Sequence, residues 1–357
     1  MKPKTATLVI LTPGFPSDEQ DSTCLPPQQV FVRALNRVFP GLKVVILTLE
    51  YPHGADTYEW FGNRVIALGG WRKSKVNKLF TLVAAWRKLR RLRRESHVIG
   101  LLSWWCGPCA LVGKYFSLWK GLSHFTWILG QDARAGNRFV RLIRPGADQL
   151  VAMSGFLADE FARNYRIRPV HVIPNGIDTT LFGEPGQRDI DVLGVGNLTA
   201  LKQYDIFVAL VDGLRRNIPA VHGVICGKGE ERGRLEQMVR ERGLQDNVEL
   251  TGELPHGEVL RLMQRSKILL HTSSYEGFGT VCIEALYAGA QVISFINTAG
   301  SAVKNWHIVS SENNMLARAL ELLQSPDTVY EPVLPFTMDN SARAMMALYG
   351  YKDAATA

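Results

Sequence analysis

Short apolar runs of four to seven residues, separated by longer segments of helical period, recur along this chain. That alternation constrains the fold more than any other feature, because it specifies strands joined by helical crossovers and hence parallel sheets. The first series runs TLVIL (7–11), KVVILTL (43–49), HVIGLL (97–102), HFTWIL (124–129), QLVAM (149–153) and VHVI (170–173). The second runs DVLGVG (191–196), AVHGVIC (220–226), NVELTG (247–252), KILLHT (267–272) and QVISF (291–295). Between strands, segments such as 28–38 set Val30, Phe31, Ala34, Leu35 and Val38 on one helical stripe. The predicted class is α/β, with two doubly wound units in succession. Length agrees, since 357 residues exceed the roughly 250–300 at which a single core stops growing.

The stretch PNGIDTTLFGEPGQRD at 174–189 is dense in Gly, Pro, Asn and Asp and has no apolar period, which marks a break between units. The predicted organisation is a first domain over 1–170, a linker over 171–189 and a second domain over 190–335. Open α/β sheets bind ligands beyond the carboxyl ends of their strands. The loops after each strand are therefore where chemistry is expected, in a cleft between two facing units.

Three loops of the second series suit a phosphorylated ligand. GNLTALKQYD (196–205) is a strand end, a small-residue turn and one lysine, followed by a helix carrying Ile206, Phe207, Leu210, Val211 and Leu214. A lysine at a helix mouth is placed to neutralise a diphosphate, where the helix dipole already favours negative charge. Lys202 is the candidate cation, against the plain alternative of a solvated surface lysine. GKGEERGRLEQ (227–237) sets Gly227 and Gly229 around Lys228, a pattern that lets backbone approach a ligand but also marks an ordinary turn.

The most informative loop is HTSSYEGFGTVCIEALYAGAQVIS (271–294). A polar turn with Ser273, Ser274, Glu276, Gly277 and Gly279 precedes an apolar helix that starts near Thr280, and Glu284 follows Glu276 by eight residues. A carboxylate among Val281, Cys282, Ile283, Ala285 and Leu286 is costly unless it is paired, and sugar or ribose hydroxyls are suitable partners. Backbone N–H groups at the helix start suit a phosphate or sugar oxygen. The bland alternative is a capping carboxylate and a solvated helix face.

Taken in order, VHVIPNGIDTTLF (170–182), these three loops, VELTGELPHGEVLRLMQRSKILL (248–270) and FTMDNSARAMMALY (336–349) resemble the retaining GT-B glycosyltransferases of the family-four type. The resemblance implies a GT-B fold, two Rossmann-like domains with a central cleft, and a last helix within 336–357 that returns to the first domain. It also implies transfer of a sugar from a nucleotide-diphosphate donor, UDP- or GDP-linked, to a glycan or lipid-linked acceptor in polysaccharide or glycolipid synthesis. Position by position, Glu276 and Glu284 match the family's E-x7-E pair, the first near the donor sugar and the second at the ribose. Lys202 matches the diphosphate clamp, and Gly277, Phe278 and Gly279, with Thr280 after them, match the turn whose backbone meets the donor. Gly14 is the counterpart of a first-domain glycine loop over the donor. Asp132, in LGQDARAG (129–136), is the polar residue on the acceptor side, although a helix N-cap explains it equally well.

Two positions depart from the family pattern: Asn197 stands where an arginine is usual, and Leu129 where a histidine is common. Either Asn197 serves as a neutral donor, or Lys228 or a first-domain arginine substitutes. The departures also fit a different class, a nucleotide-sugar-binding protein weakened in turnover. Thr298, Ala299 and Gly300 are the abbreviated equivalents of a glycine-rich loop.

Other motifs compete. WCGPC (105–109) is a thioredoxin-type redox string, and a thiol at a helix amino end would be reactive. Asp189-Ile190-Asp191 mimics a D-x-D metal motif but lies at the start of a buried strand, and no His or Cys cluster has zinc spacing, so no metal is expected. The five cysteines, Cys24, Cys106, Cys109, Cys226 and Cys282, suit reduced thiols in the cytosol. Lys2 and Lys4 precede an apolar run too short for a signal segment, and nowhere do about 18 uncharged apolar residues follow one another to span a bilayer.

The net charge of +8 leaves nucleic acid, an anionic membrane or a phosphorylated substrate as partners. It is unevenly spread, with 23 basic and 11 acidic residues in 1–165 against 18 and 22 in 166–357. Residues 71–97 hold ten Lys or Arg and one Glu, with Leu79, Leu82, Val83, Trp86 and Leu89 on one stripe and Leu92 at its margin. Such a segment fits a cationic helix lying on the inner face of the cell membrane, or a core helix with a basic outer face. Nucleic acid is disfavoured, because no binding fold accompanies the charge.

Overall fold

Strands that are apolar on both faces demand cover on both sides, and the computed structural model arranges them as two helix-covered sheets. It describes residues 5–70 and 75–352; Lys2, Lys4 and positions 71–74 of the basic segment lie outside the described residues. The chain divides into a unit of Met1–Gly176 with Met338–Ala357 and a unit of Ile177–Thr337.

The first unit contains strands β1 (Ala6–Gly14), β2 (Lys43–Tyr51), β3 (Ala55–Trp60), β4 (Asn63–Leu68), β5 (His97–Trp104), β6 (Ser123–Ile128), β7 (Leu150–Ala152) and β8 (His171–Val172). Its helices are α1 (Pro26–Val38), α2 (Lys75–Glu95), α3 (Pro108–Lys120), α4 (Arg138–Ile143) and α5 (Gly155–Tyr165). The sheet order is β3-β4-β2-β1-β5-β6-β7-β8, parallel except for the β3–β4 hairpin. α1 buries Val30, Phe31, Ala34 and Leu35, and Phe31 meets Trp127 edge-on at 4.9 Å.

The second unit contains β9 (Ile190–Val195), β10 (Gly223–Cys226), β11 (Val248–Gly252), β12 (Ser266–His271), β13 (Gln291–Ser294) and β14 (Trp306–Ile308). Its helices are α6 (Tyr204–Arg215), α7 (Arg232–Glu241), α8 (His256–Arg265), α9 (Thr280–Tyr287) and α10 (Glu312–Gln324). The order β11-β10-β9-β12-β13-β14 is wholly parallel and reverses direction between β9 and β12. That reversal leaves a crevice at the carboxyl ends of the two strands, which is where open α/β sheets hold ligands. Phe207, Leu210, Val211 and Leu214 of α6 are buried in one core with Val192, Ile225 and Ile268 of the strands.

The last helix, α11 (Met338–Leu348), belongs to the first unit and packs on α1. Arg37 of α1 reaches Asp339 at 2.5 Å, and Ser341 donates to the Pro174 carbonyl at 2.7 Å. Beyond α11, the Tyr349 ring lies over Gly100 of β5, where any Cβ would collide with it, and its hydroxyl donates to the Leu101 carbonyl at 2.7 Å.

Several expectations change. β1 runs on to Gly14, which pairs with Tyr51, so Gly14 is a buried strand residue and not part of a loop. Residues 171–189 do not form a separate linker: His171 and Val172 pair with β7, residues 173–176 stay with the first unit, and Ile177 onward is anchored in the second unit. There Phe182 packs edge-on against Tyr287 at 4.8 Å, and Arg188 donates to the carbonyls of Ser266 and Ala288. Isolated anchors of this kind leave no apolar period to read. On α2 the buried stripe is Thr81, Ala85, Leu89 and Leu92, so Leu92 is core. Leu79 and Val83, expected on that stripe, stand exposed with Phe80.

Candidate active site

Lys202 closes a short 3-10 turn (Ala200–Lys202) after β9, and left-handed Gln203, φ 50°, leads from it into α6. The loop after β12 is stitched to this turn. Thr272 donates its hydroxyl to the Lys202 carbonyl at 2.7 Å, and the Ser274 N–H donates to the Leu201 carbonyl at 3.0 Å. These bonds bring the Lys202 ammonium to 2.5 Å from a Glu276 carboxylate oxygen, with both side chains mostly buried. His271, the last residue of β12, approaches the same oxygen through Nε2 at 3.3 Å. The cluster thus spans the β9/β12 reversal.

Burial alone would raise the Glu276 carboxyl, but the His271 hydrogen bond and the Lys202 charge outweigh it and hold the group down at about 2. Glu276 is therefore an anion at any ordinary pH. Such a group suits accepting hydroxyl hydrogens or facing positive charge, and is far from the range of a proton-transfer catalyst at neutral pH. His271 was not singled out in the sequence; its one signal is its place at the end of an apolar strand, five residues before Glu276.

After Glu276 the chain turns tightly. Phe278 is buried against Phe336, ring centroids 5.6 Å apart, while Thr298 donates its hydroxyl to the Phe278 carbonyl. Gly279 takes φ 72° to start α9 at Thr280, a conformation that glycine adopts at no steric cost. Gly277 lies in this turn beside Glu276, its N–H 3.3 Å from Oε1. Glu284, one turn into α9, meets Nε2 of His256 on α8 at 2.8 Å. Burial acts to lower the His256 imidazole, but the Glu284 carboxylate outweighs it and raises it. The costly carboxylate predicted on this helix thus has a partner inside the protein, a histidine that the sequence reading passed over.

The G-K-G loop is explained by backbone packing. A Cβ at Gly227 would strike the Gly196 carbonyl and one at Gly229 the backbone of Leu198, so both glycines let the loops after β9 and β10 touch. Lys228 points to Glu253, 2.5 Å away, and Asn197 is exposed at the head of the Lys202 loop.

Asp132 has a different task from the acceptor-side role expected of it. It is buried in the first unit, and its carboxylate accepts from the N–H groups of Cys106 at 2.8 Å, Gly130 at 2.9 Å and Leu129 at 3.2 Å. Burial raises its pKa, countered by those hydrogen bonds. A carboxylate so occupied clasps the turn after β6 to the turn after β5. It is not an N-cap either, since Gly130 holds that position.

The redox reading of WCGPC also fails to find support. Cys106 and Cys109 are free and buried, burial pushes the Cys106 thiol up to about 12, and Cys109 is raised as well. Thiolate reactivity needs the opposite shift. Asp189 pairs with Arg265 at 2.6 Å and Asp191 with Lys267 at 2.7 Å, which accounts for the D-x-D string as one exposed and one half-buried ion pair.

Comparison with known proteins gives both halves of the chain a counterpart. The model of the family "Glycosyl transferases group 1" matches residues 183–325, and that of "Glycosyltransferase Family 4" matches residues 29–181. The chain is 37% identical over 206 residues to the phosphatidylinositol N-acetylglucosaminyltransferase gpi3 subunit of Schizosaccharomyces pombe, covering 56% of this chain and 45% of that protein. It is 29% identical over 189 residues to a glycogen synthase of Mycobacterium tuberculosis, covering 51% and 46%. It thus spans less than half the length of these curated relatives. Among solved structures, sucrose-phosphate synthase from Thermosynechococcus elongatus superposes with a TM-score of 0.70 at 18% identity, over 96% of this chain and 95% of that one. Anabaena HepE in complex with UDP and glucose gives 0.68 at 15%, over 99% and 96%. Likeness at such identities establishes the fold, two Rossmann-like units of GT-B type.

Proposed function

The chain belongs, through a match to each of its halves, to the group 1 and family 4 glycosyltransferases, and from that premise we propose that it moves a sugar from a nucleotide-diphosphate donor to a glycan or lipid-linked acceptor, with retention at the anomeric carbon. The observation that carries this reading is the Lys202–Glu276–His271 cluster at the reversal point of the second sheet. Lys202 and the start of α9 stabilise the departing diphosphate. Glu276, held anionic, orients the donor sugar through its hydroxyls and supports the positive charge that develops at the anomeric carbon. UDP-linked sugars are the first donors to test, since HepE, of the same fold, binds UDP and glucose. Incubating the purified protein with UDP- and GDP-sugars and a membrane lipid extract should give a glycosylated product by mass spectrometry. Donor binding without transfer or hydrolysis across the whole panel would favour the weakened binding protein instead, the reading that exposed Asn197 keeps open.

A peripheral place on an anionic membrane, at its cytoplasmic face and in the service of cell-surface glycan synthesis, is part of the same proposal. It is supported by Leu79 and Phe80, 63% and 66% exposed on α2, beside Arg87 and Arg90. Among the described residues no helix is long and apolar enough to cross a membrane. The variant Leu79→Glu with Phe80→Glu should lose most co-sedimentation with vesicles containing 30% phosphatidylglycerol, a probe composition of roughly physiological charge. Undiminished sedimentation would remove α2 as the contact.

A further inference from the structure

The first unit carries a second concavity, of about 870 Å³, that the transfer chemistry does not use. It is built from α4, the turn that precedes it and the end of α5. Four guanidinium groups line it. Arg138 and Arg141 come from α4, Arg144 from its left-handed cap at φ 46°, and Arg166 from the left-handed cap of α5 at φ 61°. All four are exposed, no carboxylate lines the concavity, and none of the four forms an ion pair among the described residues.

Nearby acids do not explain this. On the same stretch of chain Arg163 takes Glu160 at 2.6 Å and Arg168 takes Asp159 at 2.8 Å, so the carboxylates of α5 are already engaged by other arginines. The polar floor is satisfied too: Asn164 donates to the Ala133 carbonyl at 2.9 Å, and Asn137 donates to the Cys106 carbonyl at 2.8 Å. Cations at helix carboxyl ends are ordinary complements of the helix dipole. That accounts for each arginine singly, but not for four from two helices converging on one concavity, where they repel one another. A ligand with more than one negative charge relieves the repulsion, and the flat guanidinium fork matches the oxygens of a phosphate. The volume is that of a site for a whole small molecule or headgroup, larger than one phosphate needs.

We propose that this arginine-lined concavity binds a phosphate-bearing group, and, resting on the transferase reading, that the acceptor carries it. A soluble phosphate ester or a lipid headgroup would supply that group, and Leu142 of α4, next to Arg141 in the chain, is exposed and apolar.

The test is calorimetric titration of the full chain with inorganic pyrophosphate and with glycerol 1-phosphate, and flotation with phosphatidylcholine vesicles containing phosphatidic acid. Three proteins are compared: wild type, Lys202→Ala, and Arg141→Ala with Arg144→Ala. Binding that persists in Lys202→Ala and weakens about tenfold or more in the double variant is the expected result. Loss confined to glycerol 1-phosphate identifies a soluble ester, and loss confined to vesicles a headgroup. The arginines are exposed, so a thermal midpoint close to wild type shows that the double variant is folded. Binding unchanged in the double variant, or absent in wild type for all three probes, overturns the site. Arginine-dependent binding in a protein that transfers no sugar overturns only the acceptor role and leaves the site standing.

Discussion

Lys202→Ala should lower turnover by about 10²–10³-fold, the loss typical when one preorganised donor to a developing anion is removed. The lysine sits at the mouth of α6, fixed through its own carbonyl by Thr272 and through its ammonium by Glu276. Its charge is thus positioned before any donor arrives, and no reorganisation is needed when the diphosphate departs. Steady-state kinetics with a donor that the wild type uses would measure the effect. Lys202→Arg retains the charge and should recover part of the rate if position as well as charge matters. Wild-type turnover in the alanine variant would remove Lys202 from the chemistry altogether.

The second large effect concerns acid stability. The Glu276 carboxyl lies at about 2 in the folded chain against an ordinary 4.5, because His271 and Lys202 overcome its burial. A carboxyl depressed by folding contributes stability that is complete above its unfolded value and is lost as pH falls through the folded one. The window is therefore from about 4.5 down to about 2. The contribution at neutral pH is about 3 kcal/mol, at 1.36 kcal/mol for each unit. Glu276→Gln should lower the urea stability by about this amount at pH 7. The difference from wild type should shrink below pH 4.5, be mostly lost by about pH 2 and vanish below it. A constant difference across that range would mean that the carboxylate charge is not what the cluster stabilises.

Much of this was legible in the sequence, and the parts that were not have physical reasons. Strands with long apolar runs declared themselves, as did the stripe of α6 that holds the second core. The β3–β4 hairpin did not, because β3 is mostly exposed and polar, β4 offers only the four-residue apolar run at 65–68, and the turn at Phe61 and Gly62, both left-handed, shows only one glycine. β14 is three residues long and too short to carry a period. Lys202 and Glu276 were readable as types of residue in types of loop, but their contact was not, since 74 residues separate them and strand order alone brings them together. Asp132 shows the converse error. An acidic residue in a glycine turn reads as chemistry, and only three backbone N–H groups around its oxygens show that it is a clasp.

The Tyr349 ring over Gly100 and the α11 helix on α1 have a consequence for how the molecule comes into being. Synthesis runs from the amino end, so the sequence of the second unit is complete once Thr337 has been added, while the first unit still lacks its last helix. The amino-terminal domain usually finishes first on the ribosome; here its packing surface is complete only after the sequence of the second unit has been made. The first unit waits on α11 and Tyr349 to close its sheet surface at Gly100, and a message cut short after Thr337 would spoil the first unit while leaving the sequence of the second whole.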